Sequence, residues 1–160
     1  AQIANGGYKI YPKIVLKKYD QDLKEDKFQP LVKNSKNIKI VQEAMFSSTN
    51  EVRGTSYRSR IDDPKYQFAG KTGTAQVKRI TKQDRELDLK TLEIPYEERD
   101  HALYVAYGPY RNPRYAVSIL VEHGGSGSSV AAPIAKKLFK KIIDRHQIRK
   151  DFNSKKYLDI

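Results

Sequence analysis

The chain is 160 residues long, which is typical of a single domain and leaves little room for two. It contains no cysteine, which excludes disulfides, thiolate catalysis and cysteine-ligated zinc, and the spacing of its three histidines predicts no metal site. Thirty-one basic and nineteen acidic residues give a net charge of +12, which favours an anionic partner such as nucleic acid, but the excess lies at both ends of the chain and forms no single stripe.

The amino end predicts a helix that is already under way at Ala1 and ends at Gly6-Gly7, where glycine takes the left-handed conformation that caps helices. Because the chain also lacks an initiator Met, we expect it to be cut from a longer protein. No apolar run approaches the roughly 18 residues of a membrane helix, and the first residues do not resemble a signal peptide.

A strand and a helix are expected in the next fifty residues. Ile10, Ile14 and Leu16 alternate with more polar neighbours as in a strand, and the charged residues 20–34 predict a hairpin or loop. Ser35 is the expected N-cap of a helix that ends near Ser48. Its apolar face should be formed by residues at helical spacing, namely Ile38, Val41 and Met45, with Ala44 beside them.

The remainder of the chain predicts a sheet and a helix that packs on it. Residues 50–65 are expected to be an extended connector and residues 78–100 a long surface excursion with one helical turn. Strands are predicted at 66–77, 101–108 and 114–123, antiparallel and in that spatial order, with glycines of the first strand marking a close approach. After a flexible Gly/Ser turn, an amphipathic helix over 130–145 should pack on the sheet through Leu138, Phe139 and Ile142, and the last fifteen residues should be frayed.

Gly70-Lys71-Thr72-Gly73-Thr74 is the one segment that points to chemistry. A phosphate-binding loop would need a glycine at position 65, where Lys65 stands, and a helix after Thr72, where the residues are strand-like. A strand that borders a site, in contrast, pairs with an extended peptide while Lys71 supplies a cation, and Thr72 and Thr74 supply hydroxyls, for a carboxylate. Gly73 keeps the strand free of a side chain. The alternative is a solvated strand without a ligand.

The surrounding residues resemble the carboxy-terminal part of the transpeptidase domain of class B penicillin-binding proteins, most closely the elongation type, penicillin-binding protein 2. The segments that carry the resemblance cover most of residues 3–139 in family order: IANGGYKIYPKIV, EAMFSSTNEVRGTS, FAGKTGTAQV, RDHALYVAYGP and YAVSILVEHGGSGSSVAAPIAKKLF. Two positions depart mildly from the family pattern: Ser56 stands where alanine is usual and Gly108 where alanine is frequent, whereas Tyr104 stands where an aromatic is expected.

The resemblance implies an α/β (α+β) fold of the penicillin-binding and β-lactamase-like type, an antiparallel sheet with a packed C-terminal helix. Residues 1–145 would be the C-terminal portion of the transpeptidase domain and 146–160 a polar tail. Lys71 to Thr74 would lie on the third strand of a five-stranded sheet and bind the substrate. Lys71 would also be catalytic, and the backbone N–H of Thr74 would form an oxyanion hole with the N–H of the nucleophile.

The resemblance further implies a peptidoglycan D,D-transpeptidase that works through a serine acyl-enzyme, without metal or cofactor. The family's Ser-x-x-Lys nucleophile and its Ser-x-Asn triplet are both expected upstream of Ala1 and absent from this chain, so the chain alone should be inactive. Expected partners are peptidoglycan stem peptides and β-lactams, with no nucleic acid. The parent protein would be anchored by an N-terminal segment on the periplasmic side of the bacterial inner membrane, beside cell-wall elongation partners.

Two other functions stay open on sequence grounds. One is a basic nucleic-acid-binding module, although no ribonucleoprotein-type motif interleaves the aromatic and basic residues. The other is a scaffold piece without any site. If the chain is part of a transpeptidase domain, it lacks part of its sheet, and we expect it to expose an apolar patch and to self-associate unless residues 1–35 fold back over the gap.

Overall fold

A computed structural model describes residues 1–11, 17–18, 21–22, 29–79 and 89–156. Its strands and helices are, in chain order, β1 (Lys17–Lys18), β2 (Gln21–Asp22), α1 (Ser35–Asn50), β3 (Ala69–Ala75), β4 (His101–Gly108), β5 (Tyr115–Val121) and α2 (Ala132–Lys156). Short 3-10 turns lie at Tyr57–Ser59 and Tyr96–Glu98, and a π-helical turn, Gly127–Ala131, leads into α2. No helix in these described ranges is both long enough and apolar enough to span a membrane.

The three predicted strands form one antiparallel sheet in the order β3-β4-β5, which confirms their predicted order and direction. β3 and β5 are shorter than predicted. Lys71 is opposite Val105, which in turn is opposite Ser118, and these three residues therefore share one face of the sheet. The described residues form three strands of this sheet where the family resemblance implies five.

The main core lies between the other face of the sheet and α2. Its buried members are Ile61, Phe68, Ala102, Tyr104, Ala106, Ile119, Ala131, Ala132, Ala135, Phe139 and Ile143. Phe139 stacks on Phe68 with ring centroids 4.9 Å apart. Ala131, Ala132 and Ala135 face the sheet, and their small side chains allow the helix to approach it closely. The predicted contact through Leu138 is therefore wrong, because that side chain lies beside the buried stripe and is 37% exposed.

Helix α2 continues to Lys156, so the predicted end near residue 145 and the predicted fraying of residues 146–156 are wrong. This stretch contains neither glycine nor proline, and hence no residue that ends a helix. The last four residues lie outside the described ranges.

Helix α1 begins at Ser35, one residue earlier than predicted. The side chain of Asn34, and not that of Ser35, accepts a hydrogen bond from the backbone N–H of Lys36 at 3.0 Å. The buried residues are Ile38, Met45 and Thr49, whereas the predicted core residues Val41 and Ala44 are exposed. Gln42 explains this rotation, because its side chain donates to the carbonyl of Ile3 at 2.6 Å and turns toward the chain's amino end.

The amino end forms a capped turn at residues 2–6, so the predicted helix that is already under way at Ala1 is wrong. Gly6 and Gly7 have φ values of 90° and 91°, and the N–H of Gly7 donates to the carbonyl of Gln2 at 2.9 Å, which confirms the predicted glycine cap. Tyr8 bridges Pro30, and β1 pairs with β2 in antiparallel fashion. Residues 14 and 16 of the predicted first strand lie outside the described ranges.

The long excursion before β4 is described at its two ends only, since residues 80–88 lie outside the described ranges. The 3-10 turn Tyr96–Glu98 corresponds to the single helical turn that was predicted there. Lys78 and Glu98 form an ion pair at 2.8 Å across the excursion. This contact brings its two described ends together beside the start of β4.

Candidate functional site

Strand β3 carries the Lys-Thr-Gly-Thr residues at the open edge of the sheet, since β4 alone pairs with it among the described residues. The carbonyls of three alternate residues accept hydrogen bonds from side chains and not from a paired strand: Phe68 from Asn50 of α1 (3.0 Å), Gly70 from Thr49 of α1 (3.5 Å) and Thr72 from Lys71 (2.9 Å). Because both backbone groups of such a residue face away from the paired strand, the alternation directs the N–H of Thr74 to the open edge as well.

The charge of Lys71 lies at this edge. Its exposed side chain starts from the sheet face that α2 leaves uncovered, and Nζ reaches 2.9 Å from the Thr72 carbonyl and 3.4 Å from the Thr72 hydroxyl. Among the described residues, no carboxylate lies within ion-pair distance of Lys71. An ammonium and a hydroxyl thus converge beside outward-facing backbone groups, an arrangement suited to an extended, anionic ligand.

Gly70 confirms the predicted close approach at the strand, and Gly127, in the turn before α2, forms a second one. A Cβ on Gly70 would lie 2.3 Å from the hydroxyl oxygen of Tyr104, whose ring crosses the strand at that point. A Cβ on Gly127 would lie 2.6 Å from the carbonyl oxygen of Gly73 and 2.4 Å from that of Leu103. The turn that starts α2 therefore rests directly on the backbone of the candidate binding strand.

A buried hydroxyl cluster of Thr49, Ser56 and Tyr104 lies behind the strand. The Tyr104 hydroxyl is 2.9 Å from Thr49 Oγ1 and 3.0 Å from Ser56 Oγ, and all three residues are at most 1% exposed. Burial raises the pKa of Tyr104, while its hydrogen bonds with Ser56 and Thr49 act in the opposite direction. The cluster joins α1, the connector and β4, so no local sequence pattern predicts it; the only sequence signal was that Ser56 departs from the family pattern.

The cluster fixes the loop Gly54-Thr55-Ser56 against α1. Both the N–H and the hydroxyl of Ser56 donate to the carbonyl of Ser48 at 3.0 Å. Thr55 is exposed, and its Oγ1 lies 3.3 Å from that of Thr72 and 3.1 Å from Oγ of Ser48. Thr55 therefore belongs to the site, and sequence reasoning missed it.

The expectation that the chain has no Ser-x-Asn triplet was wrong as a statement about sequence. Ser35-Lys36-Asn37 and Ser48-Thr49-Asn50 both match, whereas no serine is followed by lysine at the third position. The first triplet is exposed at the start of α1. In the second, the Asn50 amide donates to the carbonyls of Phe46 and Phe68 at 3.0 Å and holds the helix to β3. Both triplets therefore lie on helix α1.

Two of the histidines meet in space although they are 22 residues apart in sequence. The rings of His101 and His123 are 4.8 Å apart, and His101 Nδ1 accepts the backbone N–H of His123 at 3.0 Å. Nδ1 of His123 lies 3.1 Å from the carbonyl oxygen of Arg99. These contacts secure the turn after β5. Within the described ranges, no three metal-binding side chains of the His, Cys, Asp or Glu type come together.

Comparison with known proteins gives a family match over nearly the whole chain. The model of the penicillin binding protein transpeptidase domain matches residues 1–140. The peptidoglycan D,D-transpeptidase MrdA of Salmonella typhimurium is 37% identical over 105 residues, which are 66% of this chain and 16% of the relative. MrdA of Haemophilus influenzae is 39% identical over 94 residues, or 59% of this chain and 14% of the relative. The chain thus spans about one sixth of the length of such relatives.

Solved structures agree with this match. A crystal structure of Pseudomonas aeruginosa PBP2 in complex with WCK 5153 has a TM-score of 0.66 and 31% identity, covering 88% of this chain and 28% of that protein. A complex between PBP2 and MreC from Helicobacter pylori has a TM-score of 0.60 and 29% identity, covering 76% of this chain and 20% of that protein. None of these proteins is named for nucleic-acid binding. With its antiparallel sheet, its C-terminal helix and its Lys-Thr-Gly strand, the chain belongs to the penicillin-binding protein transpeptidase family.

Proposed function

We propose that this chain forms the substrate-binding wall of a peptidoglycan D,D-transpeptidase of the penicillin-binding protein 2 type. The observation that carries the proposal is the convergence of three groups at the open edge of β3: the Lys71 ammonium, the Thr72 hydroxyl and the outward-facing N–H of Thr74. The serine nucleophile would come from a part of the protein outside these 160 residues.

In this mechanism, a peptidoglycan stem peptide lies extended along β3 and pairs with its free backbone groups. Lys71 and Thr72 hold the carboxylate of the peptide, and Gly73 leaves room for its backbone. The serine oxygen attacks the peptide carbonyl, and the resulting oxyanion accepts hydrogen bonds from the N–H of Thr74 and from the N–H of the nucleophile, an arrangement worth roughly 3–4 kcal/mol in comparable enzymes. The amine leaves, an ester forms, and an amine of a second stem peptide then displaces the serine.

The same groups would receive a β-lactam, which carries an acylating carbonyl and a carboxylate. We place the complete protein on the periplasmic side of the inner membrane, anchored by an N-terminal segment. The complex of PBP2 with MreC in Helicobacter pylori supports a cell-wall elongation partner of that kind. The chain's resemblance to the same PBP2 supports the extension to this protein.

Labelling with a fluorescent penicillin tests the proposal. The isolated 160-residue chain should take up no covalent label, whereas the full-length protein should be labelled on a serine outside it. Lys71→Ala in the full-length protein should lower the acylation rate at least a hundredfold without changing the melting temperature, because one charged partner of the carboxylate is lost from an exposed position.

Lys137→Ala is the matched control, since Lys137 is an exposed lysine on α2. It should leave labelling unchanged. Stoichiometric label on a serine of the isolated chain, or normal acylation of Lys71→Ala with a normal melting temperature, would show that the Lys-Thr-Gly match is accidental.

A further inference from the structure

Three hydroxyls form a continuous line from α1 to the ligand edge of β3. Ser48 Oγ lies 3.1 Å from Thr55 Oγ1, which lies 3.3 Å from Thr72 Oγ1. We propose that this line orients the Thr72 hydroxyl so that its proton points to the carboxylate of the ligand, which makes Thr55 a positioning residue of the site. This inference rests on the proposed function, because it concerns the same carboxylate.

The direction of the line follows from what each group is able to donate. The Lys71 ammonium has protons but no acceptor, so the Thr72 oxygen, 3.4 Å away, takes the acceptor role toward it. If Ser48 donates to Thr55 and Thr55 donates to Thr72, the Thr72 oxygen accepts twice and its only proton stays available for the ligand. If the hydrogen bonds run in the reverse direction, Thr72 donates that proton to Thr55, and only its oxygen faces the carboxylate.

A bound carboxylate selects the first direction. It accepts but does not donate, and a hydrogen bond to an ionised group is about twice as strong as a neutral one. Hydroxyls that donate in series also polarise one another. The line therefore favours an anionic group at Thr72 over a neutral group of the same shape.

The buried hydroxyl cluster holds Thr55 at the required distance. Thr55 itself is exposed, but the next residue, Ser56, is fixed by the Tyr104 hydroxyl at 3.0 Å and by the Ser48 carbonyl at 3.0 Å. A Cβ on Gly54 would lie 2.4 Å from the Ser48 carbonyl oxygen, so the loop meets α1 at backbone distance on the other side of Thr55 as well. Tyr104 thus acts on the ligand site through the loop.

The test measures acylation of the full-length protein by a fluorescent penicillin and by the methyl ester of the same compound. Thr55→Val removes the hydroxyl but keeps the shape, and it should weaken the pre-covalent complex with the free acid about tenfold, the loss expected for one hydrogen bond to a charged group. The first-order acylation step should change little, because the carboxylate contact exists before the reaction. With the ester, the effect should fall below about twofold.

Thr55→Ser retains a hydroxyl and should stay within about twofold of wild type for both compounds. Ser35→Ala, which removes an exposed hydroxyl from the same helix as Ser48, is the control and should have no effect. Tyr104→Phe should weaken binding of the free acid in the same direction as Thr55→Val, because the loop loses its anchor.

Two results would overturn the inference while the proposed function stands: wild-type affinity in Thr55→Val, or equal losses with acid and ester. In both cases Lys71→Ala would still abolish labelling. If the wild-type full-length protein takes up no penicillin, the proposed function and this inference fall together. An unchanged melting temperature for Thr55→Val shows that the readout is not a loss of fold.

Discussion

At the residue scale, Tyr107 and Tyr104 are two buried phenols that differ in their hydrogen-bond partners. Tyr107 is 3% exposed, and its hydroxyl has no hydrogen-bond partner among the described residues. Burial, together with the neighbouring Tyr110 phenol, raises the pKa of Tyr107 to about 12. The Tyr104 hydroxyl, by contrast, has Thr49 and Ser56 as partners. An unpaired buried hydroxyl costs stability, whereas a paired one contributes to it.

Tyr107→Phe should therefore raise the free energy of unfolding of this chain by about 1 kcal/mol, measured by urea denaturation. The phenol stays neutral in the fold up to about pH 12 but ionises in the unfolded chain near its ordinary pKa of 10.0. The free energy of unfolding therefore falls as the pH rises from 10 toward 12, and Tyr107→Phe should reduce this alkaline loss.

Tyr104→Phe is the comparison. It removes a satisfied hydroxyl and leaves Thr49 and Ser56 without that partner, so it should lower the free energy of unfolding by about 1–3 kcal/mol. Equal effects of the two substitutions would contradict the assignment of partners.

The difference between local and long-range contacts explains what sequence alone could and could not predict about the site. Lys71, Thr72, Gly73 and Thr74 lie in one segment whose strand geometry follows from local pattern, so their placement on a strand was predictable. Thr55 reaches the site only because residues from three segments meet around the hydroxyl of Tyr104. Neither periodicity nor composition predicts such a contact between distant segments.

At the scale of elements, helix α2 is held to the connector by a surface cluster of Lys65, Tyr66 and Asp144. The Tyr66 hydroxyl donates to Asp144 at 2.5 Å, and Lys65 Nζ lies 3.3 Å from the same carboxylate oxygen. The hydrogen bond from Tyr66 is the largest cause that lowers the pKa of Asp144, and Lys65 adds to it. The helix that covers the sheet is thereby tied to the segment that leads into β3.

Because the pKa of Asp144 is lowered in the fold, its contribution to stability is present above the ordinary value of 3.8 and is lost as the pH falls through the lowered value. Asp144→Asn should lower the melting temperature slightly at pH 6, and the difference from wild type should shrink as the pH falls below 3.8. Tyr66→Phe should reproduce most of the change. A constant difference across that range, measured by circular dichroism, would exclude this carboxylate as the cause.

The positions of helices and strands were predictable where the local pattern was strong. Which side of each helix is buried was harder to predict. The three strands and both helices were located from alternation and helical spacing. The buried stripes of α1 and α2 were rotated relative to prediction, because Gln42 and the alanines of α2 turn inward for reasons that lie in other elements. Hydrophobicity ranks Leu138 above Ala135, whereas close packing prefers the smaller residue.

At the scale of the whole molecule, the two faces of the sheet are unequally covered. α2 buries one face, while Val105 and Leu120 on the Lys71 face remain 46% and 56% exposed. A second cluster of Met45, Ala69 and Tyr107 takes up Ile3 and Ala4, so the amino end covers part of this face. Of the predicted folding back of residues 1–35, the described residues therefore show one part, the contact of Ile3 and Ala4 with this cluster. The middle of the face, at Val105 and Leu120, is not covered by them.

We expect the isolated chain to self-associate through this face. Its charge of +12 opposes association at low salt, so the mean mass from light scattering should rise with protein concentration and rise further when salt screens the charge. Leu120→Lys should restore a smaller mass, whereas Val52→Lys, at a side chain that is 78% exposed outside the sheet, should not. A monomer over a tenfold concentration range at high salt, with little binding of a hydrophobic dye, would disprove the expectation.

The two glycine contacts on β3 set different limits on how this sequence is able to change over generations. At Gly70 the obstacle is the Tyr104 side chain, so a larger residue becomes admissible once a second replacement shortens that tyrosine. At Gly127 the obstacles are main-chain oxygens of Gly73 and Leu103, which every amino acid carries. No companion change at either position relieves that clash. A two-step route is therefore open at the first glycine and closed at the second.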